Sequence, residues 1–361
     1  MKKVLFIAPH RPNRCPSQRF RFEQYLDYLL RNGYSYDFHY LLSKEDDHNF
    51  YSSSNYFKKS LIVMKSLLKR IKDVLNSSSY DIIFVQREAI MLGMSIFEFL
   101  FSNSRAKLIY DLDDSIWISD VSHANQNLSW LKKSSKTNSI LKYSDMVFAG
   151  NKFLADYSSK YNNNVKIVPT TIDTNLYIKM NSYKANSKVC IGWSGSITTI
   201  RHFEWAVPIL MKIKNKYMDN VYFKVIGDAS YANYQLDVVG IPWQMENEIN
   251  ELSEIDIGIM PLPDDDWSKG KCGLKGLQYM ALEIPTLMSP VGVNTEIIND
   301  GVNGFLPESE LDWIEKISLL VENQQLRKVL GKNGRKTVIE KYSVNVWGEM
   351  YLHYFNELIC S

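Results

Sequence analysis

The chain has 361 residues, enough for two domains with a sizeable core in each. Lys and Arg number 42 against 40 Asp and Glu, so the net charge is +2 and no global field exists for wrapping nucleic acid. With 45% hydrophobic and 23% charged residues the composition is globular rather than disordered, and Cys15, Cys190, Cys272 and Cys360 lie too far apart for zinc-ligand spacing or a disulfide framework, so a reducing cytoplasm is the expectation.

The opening MKKVLFIAP carries a short apolar run that stops at His10-Arg11-Pro12, which reads as a first buried strand and not as a signal peptide. Further apolar runs at 36–42, 81–87, 107–111, 146–149 and 165–169 read as strands. Segments of helical period lie between them at 18–32, 57–76, 90–101, 129–143 and 152–161. The run 90–101 is too short to span a bilayer and contains Glu98. Residues 44–56 (KEDDHNFYSSSNY) are the most loop-like insertion, and the polar stretch 173–187 reads as a linker. The alternation then restarts, with strands at 188–193, 221–226, 256–260 and 286–289 and helices at 201–217 and 274–282. Helices at 311–322, 326–342 and 344–358 close the chain. Continuous apolar strands alternating with helices mean parallel strands covered on both faces, so the expected class is α/β: two doubly wound, Rossmann-like sheets with a cleft between them.

Two strand-to-helix turns carry candidate chemistry. The first is IGWSGS at 191–196, running into a helix that starts near Arg201. Gly195 allows close backbone approach and Ser196 offers a hydroxyl at a helix start, a plausible anion cradle. A tight turn with an N-cap serine is the ordinary alternative. The second is KGKCGLK at 269–275. Lys269, Lys271 and Lys275 precede or enter a helix start, where the helix dipole disfavours cations unless an anion binds there too.

Residues 271–285, the apolar strand after them and TEIINDGVNGF at 295–305 resemble the donor-site signature of the family 4 retaining glycosyltransferases. SDMVFAG at 144–150, VPTTID at 168–173 and EKYS at 340–343 resemble other landmarks of that family. The resemblance implies the GT-B fold. Residues 1–178, joined by a C-terminal helix 344–361 that packs back on them, would bind the acceptor. Residues 186–343 would bind a nucleotide-diphospho-sugar, with no metal or other cofactor required. Gly195, Ser196, Arg201, Lys271, Gly273, Leu274 and Gln278 then become the donor-binding set, with Lys275 stabilising the departing diphosphate. Two departures stand out: the family's paired glutamates fall on Gly270 and Gln278, and the glycine turn after the first strand is replaced by PHRPNR at 9–14. Gln278 could still hydrogen-bond to ribose hydroxyls, whereas Gly270 has no side chain to offer.

The sharpest acidic motif is DLDDSIW at 111–117, at a strand's carboxyl end. Asp113 and Asp114 are candidates for orienting an acceptor hydroxyl, with Asp111, Arg14 and Arg19 as acceptor-binding residues and Arg21 crowding the same turn. A cluster of capping and turn aspartates is the ordinary alternative. D-x-D-x-S after a strand also resembles the nucleophile motif of magnesium-dependent haloacid-dehalogenase-type phosphatases, which would use Asp111 and Asp113. Helix 57–76 sets Lys58, Lys59, Lys65, Lys69, Arg70 and Lys72 against Leu61, Leu68, Ile71 and Leu75. Such a helix can dock on anionic lipid or be an ordinary solvated face. His10, His123 and His202 lack metal-ligand company, and Trp193 and Trp243 read as core or cleft wall. The resulting expectation is a cytoplasmic glycosyltransferase acting on a glycan or lipid-linked acceptor, with peripheral contact at the inner face of the membrane and no nucleic-acid partner. The alternatives are the phosphatase and a non-catalytic sugar-binding or partner subunit.

Overall fold

The computed structural model describes residues 1–52, 56–118, 135–180 and 188–360. His123 and parts of the expected helix 129–143 and linker 173–187 lie outside them. The chain divides into two compact units, Met1–Thr170 with Trp347–Ser361, and Thr171–Val346.

The first unit holds β1 (Lys2–His10), β2 (Tyr34–Leu42), β3 (Ile82–Gln86), β4 (Lys107–Leu112), β5 (Met146–Ala149) and β6 (Val165–Ile167). They form one parallel sheet in the order β2-β1-β3-β4-β5-β6. Val4–Ala8 and Ile82–Val85 are fully buried, which is why these strands read as unbroken apolar runs. The strand order reverses between β1 and β3, and a crevice opens at such a switch point beyond the carboxyl ends. The last helix, Val344–Cys360, belongs mainly to this unit. Its Tyr351 stacks on Tyr25 at 4.3 Å, its Phe355 meets Phe84 and Phe148, and the Tyr351 hydroxyl donates to the Arg21 carbonyl.

The second unit holds β7 (Val189–Ser194), β8 (Val221–Gly227), a small antiparallel ribbon of β9 (Ala232–Asn233) and β10 (Val238–Val239), β11 (Ile241–Pro242), β12 (Ile257–Met260) and β13 (Thr286–Met288). Its parallel sheet runs β11-β8-β7-β12-β13, with the order reversing between β7 and β12. Trp193, Phe203, Leu210, Trp313 and Ile317 form its core with the helices Ile200–Tyr217 and Glu310–Glu322.

Three expected elements differ. Segment 18–32 is not one helix: Pro16–Arg21, a 3-10 turn Glu23–Tyr25 and Leu26–Arg31 follow one another. The break is at Phe22, which leaves helical geometry and buries its ring flat against Phe6 at 5.0 Å. The loop-like segment 44–56 starts as a helix, Lys44–Tyr51, set by a capping box between Ser43 and Asp46. The helix expected from residue 90 begins only at Ile96.

Close backbone approach fixes the turn after β7. Gly227 has φ +133°, and a Cβ there would stand 1.7 Å from the Gly195 carbonyl oxygen. The Gly195 N–H in turn donates to the Ile226 carbonyl at 2.9 Å. Gly227→Ala should therefore cost ~2 kcal/mol or more, seen as a lower urea midpoint with an unchanged slope. An unchanged midpoint would mean that the two turns are not locked together.

Candidate functional site

At the carboxyl end of β7 the Ser194 N–H donates to the buried Tyr279 hydroxyl at 2.7 Å, tying the turn to the helix Leu274–Ala281. Tyr279 can sit there because a Cβ at Gly258 would lie 2.5 Å from its ring. Ser196 takes the ordinary role of a turn cap: its N–H donates to the Thr199 hydroxyl at 2.9 Å, and its own hydroxyl bonds Thr198 and Thr199. Gly273 is left-handed (φ +69°) and starts the Leu274 helix, where a Cβ would meet Ile297 at 2.3 Å.

Three cations converge beside this turn. The Arg201 guanidinium lies 4.3 Å from the Trp267 ring centre, and the Lys271 ammonium lies 3.3 Å from the same ring. The Lys275 ammonium stands 5.2 Å from the Trp193 ring. Aromatic faces attract cations through their quadrupole, so the two indoles hold charges that repel one another. Arg201 and Lys275 both occupy first turns of helices without an acidic residue in that turn. That placement opposes the helix dipoles and suits a site built for an anion. Lys269 does not join them; it pairs with Asp264 at 3.3 Å and Asp266 at 3.6 Å.

His202 reports the field of this cluster. Its ring is 5.4 Å from Trp267, it is 2% exposed, and neither ring nitrogen has a hydrogen-bond partner. Burial, reinforced by Lys275, Lys271 and Arg201, lowers its pKa to about 3, so the imidazole is neutral and its nitrogens face a strongly positive neighbourhood. Asp265 is the opposing charge: burial works against its ionisation, but the hydrogen bond from the Ser268 N–H and the nearby Arg201 leave its carboxyl below the usual range. Trp267 and Tyr279 escaped the sequence reading, which took His202 only as a histidine without metal-ligand company. For His202 the only signal was adjacency to Arg201; Trp267 gave none.

Gln278 is 5% exposed and its amide is engaged. It donates to the Tyr177 hydroxyl at 3.1 Å and to Glu248 at 3.3 Å, while Tyr177 and Trp243 also donate to Glu248. The expected ribose contact therefore falls on a residue whose amide hydrogens hold a buried carboxylate. Glu248, with no motif around it, is the acidic group at this place.

In the first unit the DLDD motif is divided between two arginines. Asp111 is fully buried and takes Arg21 on both oxygens, with Nη2 at 2.6 Å, while Arg21 Nη1 donates to the Val168 carbonyl. Burial pushes the Asp111 carboxyl up and Arg21 pulls it back. An aspartate enclosed in this way anchors the sheet's end; it corrects both the acceptor-binding expectation for Asp111 and its use as a phosphatase nucleophile. Asp113 accepts from Arg87 Nε at 2.7 Å and from the Ser17 hydroxyl, and Asp114 lies 3.5 Å from Arg87 Nη2. Burial opposes Asp113 ionisation, yet Arg87 and Ser17 outweigh it and hold the carboxyl below its usual range. Arg87 sits at φ +60°, an uncommon backbone state for a side-chain-bearing residue at a strand's end. Arg14 and Arg11 both pair with Asp47, at 2.6 and 2.9 Å. Arg19 lies with its guanidinium 5.0 Å from the Phe20 ring.

The second-unit arrangement has the charge to hold a polyanion. Comparison with known proteins bears on which one. Residues 212–337, all within the second unit, match the family model described as glycosyl transferases group 1. An uncharacterized glycosyltransferase of Methanocaldococcus jannaschii is 41% identical over 66 residues, 18% of this chain and 19% of that protein. The capsular polysaccharide biosynthesis glycosyltransferase CapM of Staphylococcus aureus is 33% identical over 81 residues, 22% of this chain and 21% of that protein. The matched segments thus span about a fifth of each curated relative. Over the whole chain the fold is shared with the sucrose-phosphate synthase of Thermosynechococcus elongatus (TM-score 0.74, 13% identity, 100% of both chains). It is shared too with Anabaena HepE solved with UDP and glucose (TM-score 0.69, 13% identity, 99% of this chain and 100% of that one). Two Rossmann-like parallel-sheet units of this kind are the GT-B glycosyltransferase fold.

Two histidines set an acid limit. His202 is lowered to about 3 and His10 to about 4, both chiefly by burial, from an ordinary 6.5. The unfolded chain binds these protons first, so their contribution to stability is complete above pH ~6.5 and is lost as pH falls toward 4 and then 3. Urea midpoints should decline from pH 7 to pH 5, and His202→Asn should flatten that decline. Equal slopes in the two proteins would remove His202 from the acid response.

Proposed function

We propose that the chain is a metal-independent, retaining glycosyltransferase of family 4 that moves a sugar from a nucleotide-diphospho-sugar to a glycan or lipid-linked acceptor. The convergence of Arg201, Lys271 and Lys275 on Trp267, Trp193 and His202 is the observation that carries this reading. In the reaction the bond between the sugar's anomeric carbon and the diphosphate oxygen breaks, and the acceptor hydroxyl oxygen forms the new bond on the same face. The acceptor proton leaves with the diphosphate. Negative charge grows on the departing diphosphate in the transition state, so cations fixed beforehand at that point lower the barrier more than they tighten ground-state binding. Gly195 and Gly273 let backbone approach the phosphates. Asp113 and Asp114, oriented by Arg87, and Arg14 and Arg19 position the acceptor in the first unit.

The solved complexes of HepE with UDP and with UDP-glucose support a nucleotide-sugar donor. The CapM match supports a role in surface polysaccharide assembly; a lipid-linked acceptor would put that reaction at the inner face of the cytoplasmic membrane. One observation favours a second reading: Gly270 lacks a side chain and the Gln278 amide is held by Glu248 and Tyr177, as in a subunit that binds a sugar nucleotide without turning it over.

A thermal-shift screen with UDP, GDP, dTDP, CMP and their sugars should show one nucleotide stabilising the protein, by ~2.7 kcal/mol at 100 times its Kd. With that donor, Lys275→Ala should lower kcat by ~10²-fold or more. Nucleotide-sugar binding without turnover on any lipid or glycan acceptor would select the second reading, and no nucleotide binding at all would refute both.

A further inference from the structure

The helix Tyr56–Leu75 is built inside out. Its inward face is mostly polar: Lys59, Ser66, Arg70 and Asp73 are buried there, with Ile62 the one apolar residue among them. Arg70 is fully buried and donates to the Ala89 carbonyl at 2.6 Å, to the Ala8 carbonyl at 3.2 Å and to Asp73 at 2.7 Å, while Asp73 meets His39 at 2.7 Å. These bonds fix the helix to β1, to β2 and to the segment after β3 without help from its exposed apolar stripe. That stripe, Phe57, Leu61, Met64, Leu68, Ile71 and Leu75, follows the three- and four-residue spacing of one helix face and points to solvent, with Phe57 74% and Leu75 79% exposed. Ile96, Phe99 and Leu100, on the packed neighbouring helix Ile96–Ser102, are exposed as well. An apolar stripe exposed along the length of a helix is a candidate interaction surface.

Charge selects its occupant. Lys58, Lys65 and Lys72 recur every seven residues along one edge of the stripe. The helix carries six basic residues and one acidic residue, and that acid, Asp73, faces inward. From the neighbouring helix Lys44–Tyr51, Asp46 meets Lys65 at 2.7 Å and Glu45 is exposed. An apolar stripe edged by lysines fits the boundary between acyl chains and anionic headgroups. No helix among the described residues is long and apolar enough to cross a membrane, so this one would lie along the surface.

We propose that the face formed by the helices Tyr56–Leu75 and Ile96–Ser102 docks the protein on an anionic lipid bilayer. The proposal stands apart from the donor chemistry, because the two sets of residues share no member. The test is co-sedimentation of the full chain with vesicles of phosphatidylcholine alone and of phosphatidylcholine with about 30% phosphatidylglycerol. Binding to the anionic vesicles should be at least tenfold tighter. Leu61→Ser with Leu68→Ser, and separately Lys58→Glu with Lys72→Glu, should each weaken it at least tenfold. Because these side chains are exposed, melting temperature and nucleotide binding should not change. Absence of vesicle binding, equal binding to both lipid mixtures, or equal binding by the variants would overturn the proposal. So would a wild-type dimer that Leu68→Ser dissociates, which would assign the face to a second copy of the chain.

Discussion

Cations gathered at one point repel, and the second unit is organised around tolerating that repulsion. Trp267 offers one ring to both Arg201 and Lys271, Trp193 offers another to Lys275, and burial keeps His202 neutral so that it adds no further positive charge. The supports are backbone devices. Gly195 and Gly227 meet without side chains between them, and Tyr279 pins the turn to the second helix. Asp265 is the opposing charge in this cluster, and a cluster of this kind is a candidate functional site.

The first unit follows the opposite rule. Arg21 meets Asp111, Arg87 meets Asp113 and Asp114, Arg70 meets Asp73, and Arg11 with Arg14 meets Asp47. Removing one partner of a buried pair leaves an uncompensated charge, so these contacts define a rigid sheet end more than they add stability. Asp111 is fully buried at that sheet end, whereas Asp113 and Asp114 are partly exposed.

The strands were legible because both faces of each sheet are covered, which writes unbroken apolar runs into the sequence. The Lys44–Tyr51 helix was hidden by its polar composition, although Ser43 and Asp46 carry a capping signal. The two-residue strands β9 and β10 are too short to leave a period. At the site, Lys271 and Lys275 were legible as cations in the wrong place for a helix dipole. Trp267, His202 and Glu248 were not, because several of the partners that define them come from distant segments: Arg201 for Trp267, Lys271 and Lys275 for His202, and Tyr177 and Gln278 for Glu248. The helix Tyr56–Leu75 shows a further limit: periodicity revealed an amphipathic helix, but burying its polar side took Arg70 and its carbonyl partners on two other segments.

The account rests on an anion-binding site in the second unit. Titration calorimetry of the full chain with the nucleoside diphosphate that stabilises it most, compared with an Arg201→Gln, Lys271→Gln, Lys275→Gln triple variant of matched melting temperature, tests it most directly. Loss of three charged contacts predicts a fall in affinity of at least ~100-fold, and an enthalpy of binding that grows weaker as salt is added. Affinity unchanged in the triple variant would contradict the account and place the phosphates elsewhere.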